Sequence, residues 1–137
     1  MTNWLSVAGG GYQAIAIKTD NTLWVWGRNE SGQLGLGNTT NYSSPKQVGA
    51  LTNWLNIAAG YSHTLVIKTD GTLWTWGASA FGLLGNGVSS GTLNYSSPIQ
   101  VGALTNWKQL TNNGTNVLAV KTDGTLWLWG GNTGNGQ

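Results

Sequence analysis

Apolar and polar positions alternate in two short runs that recur three times along the chain. Leu65 and Ile67 point to one side of a strand and Val66 to the other; the equivalents are Ile15 and Ile17 with Ala16, and Leu118 and Val120 with Ala119. In the next run Leu73 and Thr75 oppose Trp74 and Trp76. Period two with apolar side chains on both faces predicts strands in a sheet that is covered on both sides. Between the runs stand Asp20-Asn21, Asp70-Gly71 and Asp123-Gly124. These predict a two-residue hairpin turn at positive φ, which Gly adopts freely and Asn tolerates.

A segment ending in small residues, such as Ile57-Ala58-Ala59-Gly60, precedes each hairpin. A Gly-rich stretch, Gly32-Gln33-Leu34-Gly35-Leu36-Gly37, and a Pro-led segment, Ser44-Pro45-Lys46-Gln47-Val48, follow it. Each unit therefore holds up to four strands. Four-stranded sheets with two apolar faces stack radially, and small residues suit the strand nearest a crowded axis. The expected fold is all-β, a β-propeller segment of antiparallel blades. A β-solenoid is the alternative, although its repeats are usually shorter and carry fewer turns.

Thr-Asn-Trp begins at Thr2, Thr52 and Thr105, Lys-Thr-Asp at Lys18, Lys68 and Lys121, and Leu-Trp-x-Trp-Gly at Leu23, Leu73 and Leu126. The spacings are 50 and then 53 throughout, which sets repeats at 1–50, 51–103 and an incomplete 104–137, about 2.6 in all. The three extra residues fall within Val88 to Leu93, because Asn-Tyr-Ser-Ser-Pro returns to step at Asn94.

Only 7% of the residues are charged, against about 25% in an ordinary domain. Asn, Thr, Ser and Gly fill the polar positions, and no apolar run approaches the ~20 residues of a spanning helix. The net charge of +2 is too small and too dispersed for a nucleic-acid face. There is no cysteine, hence no disulfide and no thiolate metal site. No basic segment followed by an apolar one opens the chain, so no signal peptide is visible. The composition resembles that of extracellular or virion-surface proteins, which is the expected setting.

The stretch Ala58 to Gly77, Ala-Ala-Gly-Tyr-Ser-His-Thr-Leu-Val-Ile-Lys-Thr-Asp-Gly-Thr-Leu-Trp-Thr-Trp-Gly, resembles the regulator of chromosome condensation repeat family. Gly32 to Gly37 followed by Pro45 and Val48 resembles it too. The resemblance covers essentially the whole chain and implies a propeller, typically of seven blades, used mainly for protein–protein contacts. The chain departs from the pattern at the Gly-x-x-His position, where Gln13 and Asn116 stand in units one and three and His63 only in unit two. Gly82-Leu83-Leu84-Gly85 replaces Gly-Gln-Leu-Gly in unit two.

Seven blades of this period need about 350 residues, so this chain is expected to be an arc with two apolar blade faces in water. A longer protein, further copies of the chain or a capping partner could cover them. Met1 at the position of Leu51 and Leu104, and an end within a repeat, favour the first.

No residue set amounts to a reactive centre, and neither enzymatic activity nor a cofactor is expected. Asp20, Asp70 and Asp123 share one turn position, which leaves Glu30 without an acidic partner. His63 beside Ser62 cannot share a proton readily, because strand neighbours point to opposite faces. A single His without Cys cannot assemble an ordinary zinc site. Exact recurrence of the Trp residues points to packing between blades rather than to a glycan-stacking row, although a glycan partner stays possible.

Positions where the units differ are the candidate protein-binding residues: Tyr12, Gln13, Arg28, Tyr61, His63, Phe81, and the insertion from Val88 to Leu93. The leading expectation is a protein-binding or surface-assembly module, its partner another protein or copies of itself. The alternatives are nucleotide exchange on a small GTPase, implied by the resemblance, and a glycan-binding module. Exchange would require a protruding insertion, and the longest one here is three residues.

Overall fold

A computed structural model describes residues 2–89, 91 and 93–131. Its strands form three antiparallel sheets in chain order. Strands β1 (Trp4–Gly9), β2 (Gln13–Lys18), β3 (Leu23–Gly27) and β4 (Tyr42–Gln47) make the first sheet. The second holds β5 (Trp54–Ala59), β6 (His63–Lys68), β7 (Leu73–Ala78) and β8 (Asn94–Gln100). The third holds β9 (Trp107–Asn112), β10 (Asn116–Lys121) and β11 (Leu126–Gly130). Within each sheet the strands follow sequence order, the meander of a propeller blade. The described residues contain no helix long and apolar enough to cross a membrane.

The hairpin joining β2 to β3 has a three-residue loop, which corrects the two-residue turn expected from Asp-Gly. Asn21 N–H donates to Lys18 O and Lys18 N–H to Thr22 O, both near 3.0 Å. Only the residue after the aspartate has positive φ: Asn21 at 60°, Gly71 at 79° and Gly124 at 83°. A type I turn closed by one left-handed residue produces this pattern. The aspartate stays in an ordinary conformation and turns its carboxylate inward on the loop.

Pairing of Ile15 with Val25, and of Ala16 with Trp24, sorts the first sheet into an aliphatic face and a tryptophan face. The aliphatic face, Ile15, Ile17, Leu23 and Val25, lies in one cluster with Trp54, Val66 and Trp76 of the second sheet. The second sheet's own aliphatic face, Leu65, Ile67 and Leu73, lies against Trp107, Leu110, Val117 and Ala119 of the third. All six residues of β6 are buried, as a strand covered on both sides requires. In β10 burial alternates, because among the described residues no sheet lies against its aliphatic face. Each fully buried Leu or Ile contributes about 1.5–3 kcal/mol, so these two seams supply most of the apolar stabilisation.

The Gly-rich stretch after β3 fastens one unit to the next. Asn29, fully buried, organises it: its side chain accepts from Leu34 N–H and donates to Asn38 O, both at 2.9 Å. The loop then places Gln33 O where Trp76 Nε1 donates at 2.9 Å and Thr64 Oγ1 at 2.8 Å. The second seam repeats the clasp, with Trp129 Nε1 donating to Leu83 O at 3.1 Å.

Candidate functional site

Because β1 and β3 run toward the end at which β2 and β4 begin, loops 10–12 and 28–41 emerge together on one rim. The same argument places loops 60–62, 79–93 and 113–115 there. Tyr12, Arg28, Tyr61, Phe81, Val88 and Leu93 all belong to this rim. Ser90 and Thr92, within the insertion, lie outside the described residues.

Four of these side chains, Tyr12, Tyr61, Phe81 and Leu93, are each more than half exposed, and Val88 is partly so. The Arg28 guanidinium stands 5.2 Å from the Tyr12 ring centre and pairs with Glu30. That pairing raises the Arg28 pKa and lowers that of Glu30. The Tyr61 ring lies between loops 10–12 and 113–115, where a Cβ on Gly11 or on Gly114 would come within 2.6 or 2.8 Å of it. Glycine at both neighbours is what admits the ring. Phe81 sits in the left-handed region at φ 60°, rare for a bulky residue, within the 3-10 turn Ala80–Gly82, and is 64% exposed.

Gln13 and His63 do not belong to this surface. Both are buried, and they join the units to one another. Gln13 Nε2 donates to Gly60 O at 3.0 Å and to His63 O at 3.2 Å, across the first seam. His63 Nε2 faces Asn112 Nδ2 at 2.5 Å across the second. Asn112 Oδ1 already accepts from Gly114 N–H at 2.6 Å, so its amide N–H points at His63. The imidazole therefore accepts on Nε2 and carries its proton on Nδ1. Burial lowers its pKa from 6.5 to about 4. Units one and two differ at this position because two different side chains solve a packing problem, not because packing leaves it free. Sequence variation alone cannot tell the two cases apart.

The three aspartates close turns. In each unit Asp Oδ1 accepts from the Thr hydroxyl two residues on at 2.6 Å, and that hydroxyl accepts from a Trp indole. The indole donors are Trp24, Trp74 and Trp127, at 2.9, 2.8 and 3.1 Å. These hydrogen bonds lower the carboxyl pKa values. A lysine ammonium caps each ring: Lys18, Lys68 and Lys121 lie 3.9, 3.7 and 3.8 Å from the Trp24, Trp74 and Trp127 centres. Among the described residues no three His, Asp or Glu side chains converge to hold a metal ion.

Two models described as the regulator of chromosome condensation (RCC1) repeat match the chain, one over residues 20–67 and 70–119, the other over 4–33 and 54–83. Protein RCC2 of Mus musculus is 47% identical over 38 residues, which are 28% of this chain and 7% of that protein. Human WBSCR16 superposes with a TM-score of 0.80 at 22% identity, over 93% of this chain and 33% of its own. Prp20p of Saccharomyces cerevisiae does so with a TM-score of 0.80 at 23% identity, over 95% and 34%. This chain thus spans about a third of either structure and a smaller part of RCC2. With its sheet order, its seams and these matches together, the chain belongs to the regulator of chromosome condensation repeat family.

Proposed function

We propose that the chain is a non-enzymatic protein-binding module whose contact surface is the rim carrying Tyr12, Arg28, Tyr61, Phe81 and Leu93. The observation that carries this reading is Phe81, held at φ 60° with most of its ring in water. An exposed aromatic in a disfavoured backbone conformation adds nothing to the core, and such outliers gather at contact sites. Aromatic and arginine side chains on a rigid frame are also the residue types that dominate protein interfaces. Prp20p, which shares the fold, is described by its binding to Gsp1p and histones. This makes protein contact the natural role to test.

The test uses a photo-crosslinker at position 81 to identify the partner, followed by titration of that purified partner against variants. Phe81→Ala and Tyr61→Ala are expected to weaken binding at least tenfold, as hot-spot truncations do. Thr122→Ala, on the opposite edge, is expected to leave it unchanged. Equal binding by all three variants would overturn the assignment of the rim.

A further inference from the structure

A cleft of about 420 Å³ opens on the flank of the first seam, and we infer that it binds an acidic pyranose, a sugar ring that carries a carboxylate. Both units line it: Gly37 and Gln47 from the first, and Trp54, Lys68, Trp74 and Ser97 from the second. The two sheets that flank it each have four strands, so its walls are complete. Gln47, Trp54 and Lys68 stand at the strand ends opposite the rim, which makes this site independent of the protein-binding surface.

Lys68 is the side chain that calls for a ligand. It is only 6% exposed, and its ammonium lies 3.7 and 4.7 Å from the ring centres of Trp74 and Trp54. The indole faces stabilise the cation, but they offer no oxygen to its three N–H donors. Among the described residues Lys68 Nζ makes no hydrogen bond and no ion pair. The neighbouring Asp70 carboxylate is engaged by the main-chain N–H and the hydroxyl of Thr72. Burial lowers the Lys68 pKa, the direction expected of a cation short of counter-charge. Trp54, 2% exposed, lines the same cleft with its Nε1 donor unpartnered. The exposed side chains of Gln47 and Ser97 add an amide and a hydroxyl, likewise unbonded among the described residues.

No Asp or Glu lines the cleft. A donor-rich cleft without an acidic wall selects a ligand that is rich in acceptor oxygens and negatively charged. The partly exposed Trp74 indole supplies an apolar surface for the C–H face of a ring. An aromatic carboxylate would use Lys68 and the indoles but leave Gln47 and Ser97 idle, whereas a hydroxylated ring uses all of them. The volume falls at the small end of the range for ligand sites and suits a single sugar. A smaller cleft of about 250 Å³ occupies the equivalent place at the second seam, between Gly85, Val101, Trp107 and Trp127.

The experiment titrates methyl β-glucuronide and methyl α-sialoside into the full chain by calorimetry, while NMR follows the indole N–H resonances of Trp54 and Trp74. At least one of the two is expected to bind saturably and to move both resonances, and which one binds identifies the type of acid sugar. Its carboxyl methyl ester, which lacks the charge, is expected to bind at least about tenfold more weakly. Lys68→Met, which keeps the stem over the rings, is expected to weaken binding by a similar factor. Gln47→Ala, at an exposed position, is expected to weaken it about threefold. Circular dichroism reports whether each variant keeps the fold, and the ester and Gln47→Ala decide the matter should Lys68→Met not fold. Phe81→Ala is expected to bind the sugar as wild type does, which separates this result from the fate of the rim. Failure of both glycosides to bind would overturn the inference. So would an ester that binds as tightly as the acid, unchanged binding by the folded variants, or benzoate binding as well as the glycosides.

Discussion

The indole N–H of Trp76 donates to the main-chain oxygen of Gln33, 2.9 Å away, and so ties the Gly-rich loop of one unit to the sheet of the next. Trp76 is fully buried and also meets Trp54 edge-on with ring centres 6.2 Å apart. Trp76→Phe is expected to destabilise the chain by about 2 kcal/mol, from the lost hydrogen bond and ring volume. Thr64 still donates to Gln33 O in that variant, so the loop oxygen is not orphaned. Urea unfolding followed by far-ultraviolet circular dichroism measures the difference.

Gly71 and Gly124 occupy the same turn position with nearly the same φ, 79° and 83°. Alanine at either is expected to cost about 1 kcal/mol for the left-handed backbone. At Gly71 the added Cβ would also fall 2.0 Å from Thr105 O, while at Gly124 it meets nothing. Gly71→Ala is therefore expected to lose a further 1–3 kcal/mol, roughly the cost of overpacking. Comparing the two unfolding midpoints isolates the seam contribution, and equal midpoints would show that the seam yields without cost.

His63 couples stability to pH. Its pKa is about 4 in the folded chain and 6.5 when free. Between those values the unfolded chain holds a proton that the folded chain does not, so stability falls as pH drops through this window and levels off below it. The loss amounts to about 3 kcal/mol at most. His63→Gln, which places in unit two the side chain found at Gln13, is expected to flatten this window while staying within about 1 kcal/mol of wild type at neutral pH. Denaturant titrations at several pH values between 4 and 7 provide the measurement.

Thr72 relays a hydrogen bond from the Trp74 indole to the Asp70 carboxylate. Thr72→Val keeps the shape and removes the hydroxyl, and is expected to cost about 1 kcal/mol. The Asp70 carboxyl is then expected to titrate closer to the ordinary aspartate value. A carboxyl with lowered pKa favours the fold above its unfolded pKa, and that contribution disappears as pH falls through the folded value. An NMR pH titration of Asp70 in both proteins checks the shift.

The architecture was legible because the repeat supplies the same test three times. Period-two runs and the Asp-led turns at spacings of 50 and 53 define strands and hairpins, since burial on both faces leaves no room for polar side chains. The candidates Tyr12, Arg28, Tyr61, Phe81 and Leu93 are exposed, as expected of positions left free to differ between units. Gln13 and His63 were misplaced by the same reasoning. Their variation is compensated across a seam by Gly60 and Asn112, distant in sequence, and only the stacking of sheets brings those partners within hydrogen-bond reach. The sequence by itself determined strands, turns and repeat, because these depend on neighbours a few residues apart. Tertiary structure alone decided which face of each sheet packs against the next and which side chains clasp adjoining units. Those outcomes depend on contacts about fifty residues apart along the chain, whose geometry no local pattern encodes.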